Sequence, residues 1–193
     1  MIDDSNPYFS VPHPFKAFLT LWPEEKGLPT ENELQGLQSI GLQLLSEVKN
    51  VESNCLMQLR QLESDTKSVV DYLKLQSKKI DLILQYVLES EPQDGAQTLG
   101  LKFGGGGIEI LTDFSAPIGQ HYKSTVFIRD ELIALLAIAS VDDCQPHPDQ
   151  ADKWILTLSF KQILEADIEL LVKASLSVQQ KMLKQRNKNR SIE

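Results

Sequence analysis

The chain has 193 residues, 41% hydrophobic and 24% charged, which excludes a disordered polar chain and leaves room for one domain with an accessory element, or two small ones. Its net charge of -8 excludes a general nucleic-acid binder, because neutralising phosphates needs a basic face. No stretch approaches 18 uninterrupted apolar residues, so no membrane insertion is expected.

Residues 1–30 form a Pro-rich arm carrying Tyr8, Phe9, Phe15, Phe18 and Trp22. The prolines forbid one long helix, and this many large apolar groups should not stay in water. The arm is expected to dock on the rest of the chain or on a neighbouring protomer. Its segment FKAFLTLW (15–22) suits a strand or a helical turn.

Thr30 followed by Glu33 has the capping-box pattern and opens a helical region at 31–90 that holds no proline. Unbroken, it would be a rod of about 90 Å. Heptad positions along it read Leu45, Glu52, Leu59, Thr66, Leu73, Ile80, Val87, and alternately Val48, Cys55, Leu62, Val69, Gln76, Ile83. Ten of these thirteen are apolar, which predicts a coiled-coil seam made of Leu45, Val48, Leu59, Leu62, Val69, Leu73, Ile80, Ile83 and Val87. Further apolar residues widen the stripe and suit a dimer to tetramer. The alternative is an intramolecular helical hairpin, broken near 50–53 or 63–66. Cys55 on the seam reads as a small packing residue.

Pro92 and Gly95 end the helical region, and the period then shortens toward two. TLGLKF (98–103), GIEILTD (107–113), HYKSTVFI (121–128), ELIALLAIASVDD (131–143) and KWILTLSF (153–160) read as strands separated by turn compositions. Five strands with no helices between them predict an antiparallel sheet or small barrel. An amphipathic helix from about 162 to 188 closes the chain. Its basic end, 181–190, holds Lys181, Lys184, Arg186, Lys188 and Arg190 without an acid. That end is either a solubilising helix terminus, favoured by the helix dipole, or an anion-binding tail. The fold class is therefore α+β: a long N-terminal coiled-coil helix, a small antiparallel barrel over 95–193, and a C-terminal helix.

The four glycines at 104–107 invite a phosphate-binding reading, which fails. Ile108 and Glu109 stand where a P-loop has its Lys-Ser/Thr pair, and a dinucleotide fingerprint starting at Gly104 would need a third glycine at Glu109. A strand–turn–strand connection, with glycines free to take positive φ, fits better. Asp142, Asp143, Cys144, His147 and Asp149 gather in one loop without a metal-ligand spacing, so no metal is expected. Asp142 and Asp143, adjacent on a strand, should point to opposite faces. No nucleophile signature or catalytic constellation is present, and no cofactor is implied. Cys55 and Cys144 fit a reducing compartment, and the absence of a visible secretory signal points to the cytoplasm.

In order, KFGGGGIEI, APIGQHYKSTVFI, a strand ending IASV, WILTLSF and LEADIELLVKASLSVQQKMLKQR resemble the PilZ domain over about 95–188. That resemblance implies a small antiparallel β-barrel and a role in bacterial cyclic di-GMP signalling. The heptad helix before it is similar to the atypical branch whose long helices drive tetramer formation. PilZ receptors carry Asp/Asn-x-Ser-x-x-Gly at the turn; here Lys102 and Gly104 replace the two polar side chains, and only Gly107 remains. The family's Arg-x-x-x-Arg is missing upstream, and one occurs only at the far end, as Arg186 and Arg190. Too few residues precede the turn for the usual first strand, a vacancy that FKAFLTLW would fill. The resemblance implies a non-enzymatic regulatory or adaptor module acting through self-association and an unidentified protein partner, in motility, attachment or virulence. One alternative is a cyclic di-GMP receptor using Lys102, Gly107, Arg186 and Arg190. The other is a structural coiled-coil scaffold.

Overall fold

The structure is a computed structural model that describes residues 10–59 and 67–190, with the side chains of 49–54, 56–59, 67–68, 89 and 189–190 outside the description. The chain forms two compact units. One is built from the chain up to Leu34 and from Gln93 onward; the other is Gln35–Pro92.

The first unit is a closed antiparallel barrel. Its strands are β1 (Ser10–Leu21), β2 (Ala96–Gly104), β3 (Gly107–Thr112), β4 (His121–Ile128), β5 (Ile133–Pro146) and β6 (Trp154–Gln162), in the order β1-β2-β3-β6-β5-β4. The aromatic arm is thus a barrel strand, pairing with β2 on one side and β4 on the other. Val11, Phe15, Ala17 and Leu19 point inward at even spacing. The pairing to β2 shifts register between Pro12 and Phe15, where Pro14 has no N–H to give the ladder.

Phe103, Ile110, Val126, Leu135, Leu156 and Leu158 fill the barrel interior. Helix α4 (Glu165–Arg190) adds Leu171, Ala174 and Val178 to the same core. Along β5 the inward residues Ile133, Leu135, Ala137, Ala139 and Val141 join that core, while Leu136 and Ile138 on the other side are buried as well. This two-sided burial explains why the sequence there runs almost continuously apolar.

The helices between the barrel's first two strands correct the expectation of one unbroken rod. Between Trp22 and β2 lie α1 (Glu31–Gly36), α2 (Ile40–Leu59) and α3 (Lys67–Ser90). The Thr30–Glu33 capping box forms: the Thr30 amide donates to Glu33 Oε2 at 2.7 Å, and the Glu33 amide to Thr30 Oγ1 at 3.4 Å. The Thr30 amide and the Thr30 hydroxyl, which also donates to Glu33 Oε2, hold the Glu33 carboxyl below its ordinary range. The helix then stops near Gly36 and restarts. Ser39 Oγ accepts from the Leu42 amide at 3.2 Å, capping α2, and the Gln43 side chain takes the freed carbonyls of Gln35 and Gln38.

α2 and α3 are in contact. Gly41, at the start of α2, lies against Leu88 and Glu91 at the end of α3, so the two run antiparallel as a hairpin. The expected break at 63–66 lies outside the described residues; the one at 50–53 falls within α2, which continues through it.

Candidate functional site

Gly105 and Gly106 form the turn between β2 and β3, with Gly104 paired to Gly107. The β6 residue Phe160 donates its amide to the Gly106 carbonyl at 2.9 Å. The positive-φ glycines among the described residues are Gly27, Gly95 and Gly119, so the run is not there for left-handed backbone. What Gly107 supplies is space. A Cβ there would run into the carbonyl oxygen of Leu158, which the β3–β6 pairing brings alongside.

Lys102 faces Glu109 across the β2–β3 pair, with Nζ 2.8 Å from Oε2. The outward row continues through Thr157 of β6 to Asp143 of β5. A register shift between Val141 and Asp143 inserts Asp142 as an extra residue. That bulge corrects the expectation of opposite faces. Asp142 accepts from Ser159 Oγ at 2.8 Å and lies 3.7 Å from Lys161, while Asp143 accepts from Gln145 at 2.7 Å. Beside the glycine turn the surface therefore presents Glu109, Asp142 and Asp143 against Lys102 and Lys161.

The glycine turn and the Arg129–Glu131 turn lie at the barrel end where β1 begins, since Ser10 pairs with Gly104 and β1 runs antiparallel to β4. At that end Lys181 of α4 reaches Glu131 at 2.6 Å, and His13 lies 3.6 Å from Asp130. Arg186 is exposed farther along α4, and the side chain of Arg190 is outside the description.

Of the predicted seam, Leu45 is buried and Val48 half-buried. Leu59 ends α2 with its side chain outside the description, and Leu62 lies outside the described residues. Val69, Leu73, Ile80, Ile83 and Val87 of α3 are all between 44% and 63% exposed. Cys55 is exposed in the single chain. The neighbouring face of α3 is the buried one, at Gln85 and Leu88. Gln85 is 3% exposed, and neither amide atom has a hydrogen-bond partner among the described residues. Sequence reasoning missed Gln85 because a polar residue at that spacing reads as solvent-facing.

No group of His, Cys, Asp or Glu that could hold a metal ion occurs among the described residues. No helix there is long and apolar enough to cross a membrane.

A closed six-stranded antiparallel barrel with this glycine turn and closing helix is a PilZ-like α+β fold. The chain resembles a tetrameric PilZ-domain protein of Xanthomonas campestris described as pathogenic and as self-assembled via a helical bundle, with a TM-score of 0.53 and 12% identity over 94% of this chain and 93% of that one. Two other solved structures are similar at lower scores. One is the PilZ domain of YcgR from Escherichia coli with c-di-GMP, with a TM-score of 0.46 and 8% identity over 96% of this chain and 99% of that one. The other is MotI/DgrA, the inhibitor of motility of Bacillus subtilis, with a TM-score of 0.42 and 20% identity over 47% of this chain and 45% of that one. No protein-family model matches the sequence, and no curated relative does.

Proposed function

We propose that this protein is a non-enzymatic PilZ-like regulatory or adaptor module of bacterial cyclic di-GMP-linked signalling. It acts in the cytoplasm through self-association by α3 and through protein partners, without taking the dinucleotide at the glycine turn. One observation carries this reading: α3 buries the face holding Gln85 and turns its apolar heptad stripe to solvent. A helix arranged this way gains by covering that stripe with a second copy. The Xanthomonas campestris protein, self-assembled via a helical bundle, supports the same assembly here. At the turn, Lys102 is already neutralised by Glu109, and Gly104 offers no side chain to a base.

Mass measurement in solution tests both parts. The expected result is a dimer to tetramer at micromolar concentration, unchanged by cyclic di-GMP, with no heat in a calorimetric titration. A monomer sinks the assembly.

The shared barrel end of the glycine turn and the basic end of α4 favours one second reading, a receptor with a nonstandard site. Binding heat that disappears in Arg186→Ala would establish it.

A further inference from the structure

Two features of the barrel unit take no part in the α3 association, and they complement one another. At the end of β1, Trp22, Pro23, Leu28 and His121 line an apolar notch of about 110 Å³. The notch is held open by its own bonds. The Trp22 indole N–H donates to the Gly27 carbonyl at 2.8 Å, and the Trp22 amide donates to the His121 carbonyl at 2.9 Å. The Lys26 ammonium sits 5.4 Å from the Trp22 ring centroid, over its face. Glu24, which also lines the notch, and the neighbouring Glu25 are exposed. Leu28 is half exposed. An apolar space of this size admits one small hydrocarbon group, and the carboxylates beside it favour a cation next to that group.

The chain carries such a segment. Leu183 is half exposed on α4, followed by exposed Lys184, Arg186 and Lys188. We infer that the basic end of α4 docks on the Trp22 notch of a second copy, with Leu183 in the notch and Lys184 and Arg186 against Glu24 and Glu25.

A chain cannot make this contact with itself. The bond from Lys181 to Glu131 fixes α4 at the β4–β5 turn, whereas the notch lies beside His121 at the other end of β4. That strand spans about 23 Å, and the helix beyond Lys181 reaches only about 10 Å to residue 188. The contact therefore forms between copies, either reciprocally around a two-fold axis or head-to-tail.

The inference is independent of the α3 association, so the test uses the full chain bearing Ile83→Glu, which weakens the α3 stripe. In that background, Glu24→Lys/Glu25→Lys and Lys184→Glu/Arg186→Glu are compared by sedimentation velocity. All four positions are exposed, so folding is retained. Each reversed variant alone should self-associate at least tenfold more weakly than the parent. An equal mixture of the two should regain association, because each reversed surface meets an opposite one. A parent chain that does not associate, variants as tight as the parent, or a mixture no tighter than its components would each overturn the contact.

Discussion

The ring of Phe15 on β1 fills the space that a side chain at Gly100 on β2 would occupy, and the two residues are paired directly across the strands. The same ring meets Phe103 edge-on at 6.1 Å. A bare strand position is thus covered by an aromatic from the N-terminal arm, which couples the arm to the barrel core.

Removing the ring by Phe15→Ala should cost about 3–5 kcal/mol, as for other buried aromatics. Gly100→Ala should destabilise on its own because its methyl group displaces the ring, but much less when Phe15 is already alanine. Urea denaturation of both single variants and the double variant measures the coupling. Additive costs would show that the two do not share space.

Substituting Ile80 and Ile83 together by Glu places two charges on the exposed stripe of α3. The expected outcome is a loss of mass by light scattering, down to the association that the α4–notch contact alone supports, with an unchanged far-ultraviolet spectrum because both positions are exposed in the single chain. An unchanged mass would move the association to another surface.

Gln85→Leu should raise stability by about 1 kcal/mol, since it removes a buried amide without hydrogen-bond partners and keeps a similar shape. The denaturation midpoint reads this directly. A fall would mean that the amide meets a partner in the assembled protein.

Tyr122 connects stability to alkaline pH. Burial raises its phenol above the ordinary pKa of 10.0, with charge at Cys144 adding to the effect. A raised pKa means that the folded state holds the proton more tightly. Its contribution is therefore complete below the unfolded value and is lost as pH rises through the folded one. Tyr122→Phe should flatten the stability curve above about pH 10, as thermal melts across that range would show.

The five strands after Gly95 and the closing helix were legible as local patterns. Alternation marked β3, β4 and β6, and turn compositions marked their ends. The Thr30–Glu33 cap was legible because it is satisfied within four residues. The break after Gly36 was harder to see, because Ser39 and Gln43 cap it with side chains that also suit a helix interior. At the site, the exchange of polar residues for Lys102 and Gly104 was visible in the sequence. The pairing of Lys102 with Glu109 required the register of β2 against β3.

The sequence by itself determined which segments extend and which coil, since side-chain period and capping act over a few residues. Only the tertiary structure fixed which strands β1 pairs with in completing the barrel, because its partners on β2 stand about eighty positions along the chain. It also decided that Gly107 is needed for room against Leu158, and that a bulge brings Asp143 outward beside Asp142. These are contacts between distant segments. Local periodicity says nothing about them, and they form only where burial across the closed barrel outweighs the entropy of bringing the segments together.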